Sequence, residues 1–520
     1  MLPSSSSADD ADDPPTLRSL LPAQHGSFCA DARTSLRVTL APASYYASAD
    51  ALRSPQALPP NATFAPTFTH QVFEEDIIFG YREPALRVWY RDPDLAVCVT
   101  ATATSALAAE APVRLPTEPG KAALTRVPAD DVLARLRAAG ALPAAFPGAS
   151  FTAAVGPAAS ARALALPPFF LDETPGAEPW RAPGVIEGRY ARGAATFTVR
   201  AFRPAAARKY HARLHALALW TIENASAVDS SDEKWEQLTV HCDATSGGGG
   251  SNDESLVAFA LLYRFTHPLR ETRPDTLRLA QLVVVPRWQR AGHGEALLEH
   301  IMARARGDPR LLEVGIEDPC EGMSRLRDAV DVARAFSSRV FSTIDGWADF
   351  GPRASDAPAR DPPAADDALA LIVDLDAAVE RAAQAALGVT LRQVRAVHTV
   401  LLLARLGGPA AVQGDVLRAY RLFVKRGIFN ANADVRATTN VDARKAVLED
   451  LFVETFAAAV AALARTNALA ETHGEQELRA GRAPAVALAS REEAAHAAAA
   501  WAARKKEIEL TNARAKAGRA

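Results

Sequence analysis

The run Gln289-Arg290-Ala291-Gly292-His293-Gly294 stands between an apolar stretch ending at Leu282–Val285 and an amphipathic helical pattern that starts at Glu295. Glycine at 292 and 294 lets the backbone come close to a ligand, and a helix start offers open amides at the positive end of its dipole, a combination suited to a pyrophosphate. No GK[ST] follows and the spacing is not GxGxxG, which disfavours nucleotide hydrolysis and dinucleotide binding. Farther along, a short strand ends in Glu317-Asp318-Pro319. If the two strands are neighbours, these carboxylates reach the same sheet edge as the loop, where ligands gather. An amine with a reference pKa of about 10.4 must lose a proton before attacking a thioester, which costs roughly 4.6 kcal/mol at pH 7, and a carboxylate base lowers that barrier. Taken singly, a glycine pair is more often a tight turn and an EDP triplet a solvated one. Their joint placement is what points to a site.

The elements that must hold these residues follow from periodicity. Residues 1–28 mix Ser, Asp, Pro and Ala in the manner of a disordered tail. Alternation at Leu36, Val38 and Leu40, at Leu86, Val88 and Tyr90, and at Leu95, Val97 and Val99 predicts strands, and Asp130–Ala139 a helix, giving a mixed α/β domain over 29–150. A second domain over 190–345 reads as strand Thr196–Phe202, helix Arg208–Trp220, strands Gln237–Cys242, Ser255–Phe265 and Thr276–Val285, helix Glu295–Arg306, strand Leu312–Ile316 and helix Met323–Phe336. Its strand, helix, strand order suggests a crossover in a mixed sheet. The glycine-rich stretch 243–254 predicts a mobile hairpin loop. Helical spacing over 368–465 predicts a third, helical domain, and 470–520 is a charged helix or tail. The fold class expected is α+β.

A chain of 520 residues has room for about three domains. Its net charge of -3 gives no overall pull toward nucleic acid or membrane, so any charged partner must be met by a local patch. Cys29, Cys98, Cys242 and Cys320 show no CxxC spacing, which suggests neither disulfides nor a metal site. With no secretory pattern and no long apolar run, a soluble, unsecreted protein is expected.

The loop, Glu317-Asp318-Pro319 and Leu326-Arg327-Asp328 together resemble the GNAT acetyltransferase superfamily, and specifically its type B histone acetyltransferases. Segments in the same order extend the resemblance over roughly 30–465: Phe68-Thr69-His70-Gln71, Phe79-Gly80-Tyr81, Lys209-Tyr210-His211-Ala212-Arg213-Leu214, Ile222-Glu223-Asn224-Ala225-Ser226, Asp232-Glu233-Lys234-Trp235, Tyr420-Arg421-Leu422 and Val424-Lys425-Arg426.

That resemblance implies a GNAT-type mixed sheet with flanking helices between the N-terminal α/β and C-terminal helical domains. The cosubstrate it implies is acetyl-CoA, whose pantetheine arm would pair with the main chain of Leu282, Val283 and Val284. Gln289, Arg290, Ala291, Gly292, His293, Gly294 and Glu295 would wrap the pyrophosphate, although Arg290, Ala291 and Glu295 depart from the residues usual in the family. Glu317 corresponds to the general base, with Asp318 and Glu223 as carboxylates that share or relay the proton. Direct attack in a ternary complex needs no covalent acyl-enzyme. For a basic histone tail, Glu74, Glu75 and Asp76 offer an acidic run, while Trp235, Tyr263 and Phe265 would line a channel for the lysine stem. Acidic runs are more often solvated faces and strand aromatics more often core, so these six rest on the resemblance. Further implications are newly made histone four, with its histone dimer partner, as acceptor, a WD-repeat histone-binding subunit, and residence in cytoplasm and nucleus. A different amine acceptor and an inactive histone-binding scaffold are the alternatives.

Overall fold

The computed structural model describes residues 16–42, 61–107, 110–115, 123–143, 180–243, 254–351 and 362–472, with a few isolated positions between them. The glycine-rich stretch and nearly all of both tails lie outside the described residues. Within the stretch whose composition reads as an N-terminal tail, Leu17–His25 is a helix. Thr16 caps it, Leu21 is fully buried, and buried Arg18 pairs with buried Asp130. Apolar burial and a long-range ion pair thus order residues that local composition leaves without support.

The N-terminal sheet is built around β1 (Leu36–Pro42), β2 (Ala85–Asp92) and β3 (Ala96–Ala103), with β1 and β2 parallel and β2 and β3 antiparallel. Helix α1 (Val132–Ala138) follows, its first turn capped by the Asp131 carboxylate, which accepts from the Ala134 amide at 3.0 Å.

A six-stranded sheet comes next. Its strand order follows the sequence: β4 (Val185–Arg192), β5 (Ala195–Phe202), β6 (Trp235–Cys242), β7 (Ser255–Thr266), β8 (Asp275–Val284) and β9 (Leu311–Ile316). The pairs β4–β5, β5–β6 and β6–β7 are antiparallel. Strand β7 is buried from Leu256 to Leu262, which requires cover on both faces and explains its continuous apolar run. Helix α2 (Arg208–Ala218) lies between β5 and β6, and α3 (His293–Gly307) makes the crossover from β8 to β9. In α3 the buried residues Leu297, Leu298, Ile301, Met302 and Ala305 fall on one stripe, with Glu295 in the first turn and Arg304 and Arg306 in the last, favourable to the helix dipole at both ends.

The chain divides into two units, Met1–Phe265 with Arg278–His300, and Thr266–Leu277 with Ile301–Ala520. A large apolar core in the first runs from Leu36, Val38, Val88 and Tyr90 through Leu136, Leu214, Leu217 and Trp220 to Phe259 and Val283, and a smaller cluster gathers Leu21, Phe79, Ala111 and Val113. Within the large core the Trp220 indole N–H donates to the Tyr90 hydroxyl at 3.2 Å.

The second unit contains α4 (Glu321–Ser337), α5 (Ala377–Leu387), α6 (Leu391–Arg405), α7 (Gly414–Ala431) and α8 (Val441–Thr472). These helices steady β9: the Val314 amide donates to the Gly388 carbonyl at 2.8 Å, and Gln384 Nε2 donates to Glu313 at 2.7 Å. Gln393 reaches Asp328 on α4 at 2.8 Å, while Arg421 and Lys425 share the Glu449 carboxylate. Among the described residues no helix is long and apolar enough to cross a membrane, and no group of side chains is arranged to hold a metal ion.

Candidate active site

Leu282, Val283 and Val284 occupy the end of β8, with Val283 buried and its two neighbours half-buried. The Val285 amide donates to the Val257 carbonyl at 2.9 Å, keeping the strand end against β7. Beyond it a short helical turn, Pro286–Trp288, leads into the loop. Gln289, Arg290 and Ala291 are exposed, and the chain turns through φ of 65° at Arg290 and 82° at Gly292. A side chain at Gly292 would be strained in that region of φ. The Gly292 carbonyl accepts from the Ala296 amide at 3.0 Å, closing the first turn of α3. The first amides of a helix have no partner inside it, so the turn at 293–295 presents donors to an anion. Turned loop, glycine and helix start are the parts a pyrophosphate requires, and this portion of the chain fits that group.

Two side chains of the run do other work. Gln289 Nε2 donates back to the Val284 carbonyl at 3.0 Å, tying the loop to β8. His293 is 2% exposed and faces inward, where Nδ1 and the Tyr190 hydroxyl share a hydrogen bond of 2.9 Å. Phe197 and Trp288 pack on its ring with centroids 4.5 and 5.6 Å away. What His293 can offer a ligand is its amide rather than its imidazole. Glu295 is likewise buried. Burial first, and the nearby Arg192 cation second, push the His293 imidazole down to about 4. An imidazole whose folded value lies below the ordinary 6.5 contributes stability that is present above that pH and lost as pH falls toward 4, because the unfolded chain then binds the proton that the folded chain refuses. Burial raises Asp92 and Asp331 to about 6, which acts in the opposite direction. The informative comparison is therefore between variants. Between about pH 6.5 and 4, the urea midpoint should fall less steeply for His293→Gln than for the parent. Equal slopes would remove this role for His293.

Residues distant in sequence support the loop. Asp92, fully buried at the end of β2, accepts from the Leu256 amide at 2.7 Å and pairs with Arg287 at 2.6 Å. Arg287 in turn lies over the Trp288 ring, 5.1 Å from its centroid. Nothing in local sequence marks Asp92, which is 195 positions from its partner.

Glu223 is exposed in the segment after α2, and that segment is stapled in place. Gln71 Nε2 donates to the carbonyls of Leu219 and Ile222, both at 2.9 Å, and the Thr67 amide donates to the Trp220 carbonyl at 2.8 Å. The three aromatics come together on β6 and β7. Trp235 and Tyr263 are register partners with rings 4.6 Å apart, and Phe265 stands 4.6 Å from Tyr263. At its outer end the Tyr263 hydroxyl donates to Asp232 at 3.0 Å. All three rings are half-buried; the Arg278 guanidinium lies over Phe265, 4.4 Å from its centroid, and the Lys234 ammonium lies 6.0 Å from that of Tyr263. Glu74, Glu75 and Asp76 form a single turn occupied by N-terminal partners: Thr16 donates to Glu75 at 3.3 Å, Arg18 lies 4.0 Å from Glu74, and Asp76 accepts from Thr69 and sits 3.8 Å from Arg33.

In the second unit, Glu317 and Asp318 follow β9 directly and are exposed. Asp318 has φ of 32°, a turn that precedes Pro319 and the start of α4. Cys320, a free and exposed thiol, occupies the helix N-cap without a side-chain capping bond.

A model of the GNAT acetyltransferase family matches residues 214–319, and one described as the N-terminus of histone acetyl transferase HAT1 matches residues 28–137. Residues 214–319, which hold β7, β8, the glycine-turned loop, α3 and β9, are thus similar to the GNAT acetyltransferase family. Among curated proteins the chain is similar to type B histone acetyltransferase catalytic subunits. It is 25% identical to the one from Candida albicans over 253 residues, 46% of this chain and 53% of that protein. Against the human one the identity is 32% over 123 residues, 24% of this chain and 28% of the relative, and against the maize one 32% over 148 residues, 28% and 30%. The chain spans about half or less of the length of these relatives.

Proposed function

We propose that the chain moves an acetyl group from acetyl-CoA to lysine amines in the N-terminal tail of newly made, free histone four. The observation that carries this reading is the exposed, glycine-turned loop at the start of α3. Acetyl-CoA supplies the acetyl group as an activated thioester. In this reading the main chain of Leu282–Val284 holds the pantetheine arm and the amides of residues 289–295 hold the pyrophosphate. Glu317 accepts the proton of the attacking lysine, with Asp318 and Glu223 as carboxylates able to share it. The half-buried faces of Trp235, Tyr263 and Phe265 take the apolar stem of the lysine, and Asp232 beside Tyr263 attracts its charged head before deprotonation.

The similarity to type B catalytic subunits supports histone as the acceptor. A WD-repeat histone-binding subunit as partner, a histone dimer as the presented form of the substrate, and residence in both cytoplasm and nucleus belong to the same proposal. The test is transfer of labelled acetyl from acetyl-CoA to free core histones by the purified chain. Label is expected on histone four and absent when the protein is omitted. A chain that binds the cofactor yet labels no histone has another amine as its acceptor, and one that binds no cofactor is a scaffold.

A further inference from the structure

The β4–β5 hairpin lies along α3 and ends at the first turn of that helix. Glu187 meets His300 at 3.2 Å, and the His300 ring stands 3.1 Å from where a Cβ on Gly188 would lie. Farther along β4, the Tyr190 hydroxyl bonds His293. Two residues on, at the hairpin's end, Arg192 reaches the loop itself: its Nε lies 3.1 Å from the position a Cβ on Gly292 would take. The guanidinium rests over the Tyr190 ring, 5.5 Å from the centroid, and Nη1 donates to the Ala191 carbonyl at 3.3 Å. No carboxylate pairs with it among the described residues.

A half-buried cation at the positive end of a helix is repelled by that end, and the Tyr190 ring and the Ala191 carbonyl hold the guanidinium without supplying a counter-charge. An anion received by the loop amides supplies one, since guanidinium and amides then face the same negative charge. We propose that Arg192 binds the pyrophosphate of coenzyme A, closing the phosphate site from the hairpin while the loop and α3 hold it from the other side. This contact rests on the acetyl-CoA reading above. Planar, multiply donating and permanently charged, guanidinium suits a diphosphate better than a lysine ammonium would.

Calorimetric titration of the full chain tests the contact with three probes: coenzyme A, dephospho-coenzyme A, which lacks only the ribose phosphate, and pantetheine, which lacks both phosphates and nucleoside. In Arg192→Gln, the Kd for coenzyme A should rise by about 10- to 100-fold, as expected for losing a charge-assisted hydrogen bond. Dephospho-coenzyme A should suffer the same loss, pantetheine should be unaffected, and Arg192→Lys should recover part of the affinity. That pattern also separates a lost contact from a misfolded chain, which would bind all three probes poorly. A Kd for coenzyme A within about twofold of the parent would overturn the proposal, as would a loss seen with coenzyme A and absent with dephospho-coenzyme A. If the parent binds none of the probes, the acetyl-CoA reading itself fails, a result distinct from either.

Discussion

Replacing Glu317 with glutamine should lower kcat for lysine acetylation by about 10²- to 10⁴-fold, the usual contribution of a positioned base. KM for acetyl-CoA should stay near that of the parent. The substitution keeps the side chain's size and removes its ability to take a proton at neutral pH. Because Glu317 is exposed, folding should change little. Without the base, the rate depends on the small fraction of acceptor already deprotonated, so the variant's deficit should narrow as pH rises toward the amine pKa of about 10.4. Steady-state rates on histone four from neutral to alkaline pH give both readouts. An unchanged kcat would pass the role to Asp318 or Glu223, and the corresponding amide variants would then show the loss.

Asp92→Ala should destabilise the first unit by about 3–5 kcal/mol, the scale of breaking a buried ion pair from one side. The carboxylate is fully buried, the Arg287 side chain is 8% exposed, and the Leu256 amide depends on the same group. Removing Asp92 leaves a guanidinium and an N–H without their partner in the interior. Burial raises the Asp92 carboxyl to about 6 against the opposing pull of Arg287. Over about pH 4 to 6 this group's own contribution therefore falls as pH rises. Near neutral pH it is ionised and paired. Urea denaturation at pH 7 measures the loss, and a change under about 1 kcal/mol would contradict the role given to the pair. Substituting Arg287→Met in the Asp92→Ala background should recover part of the stability, because the stranded charge goes with it.

The elements around the site were largely legible because their signals are local. Apolar periodicity marked β8 and α3, and the glycines marked the turn between them. The expected helix Glu295–Arg306 forms as His293–Gly307, and the expected strand Leu312–Ile316 as Leu311–Ile316. What escaped is long-range pairing. Arg192 carries no local signal, and only the register of β4 along α3 brings it to Gly292. Gln71 belongs to the Phe68-Thr69-His70-Gln71 segment, yet its bonds to Leu219 and Ile222 cross about 150 residues. His293 reads like any loop residue and is turned inward by Tyr190, Phe197 and Trp288. The acidic run at 74–76 illustrates the converse limit: charge density is visible in a sequence, but its occupation by Thr16, Arg18, Arg33 and Thr69 is not.

The apolar interior joining β1–β3 to α2, β7 and β8 bears on how the chain can be shortened. A chain shortened to start near the β4–β5 hairpin would present Leu214, Leu217, Trp220 and Phe259 to water with Tyr90 and its neighbours gone. Surface of that size and character drives association between molecules. The N-terminal strands therefore serve as the apolar cover of the six-stranded sheet, and the two stand or fall together in a shortened chain.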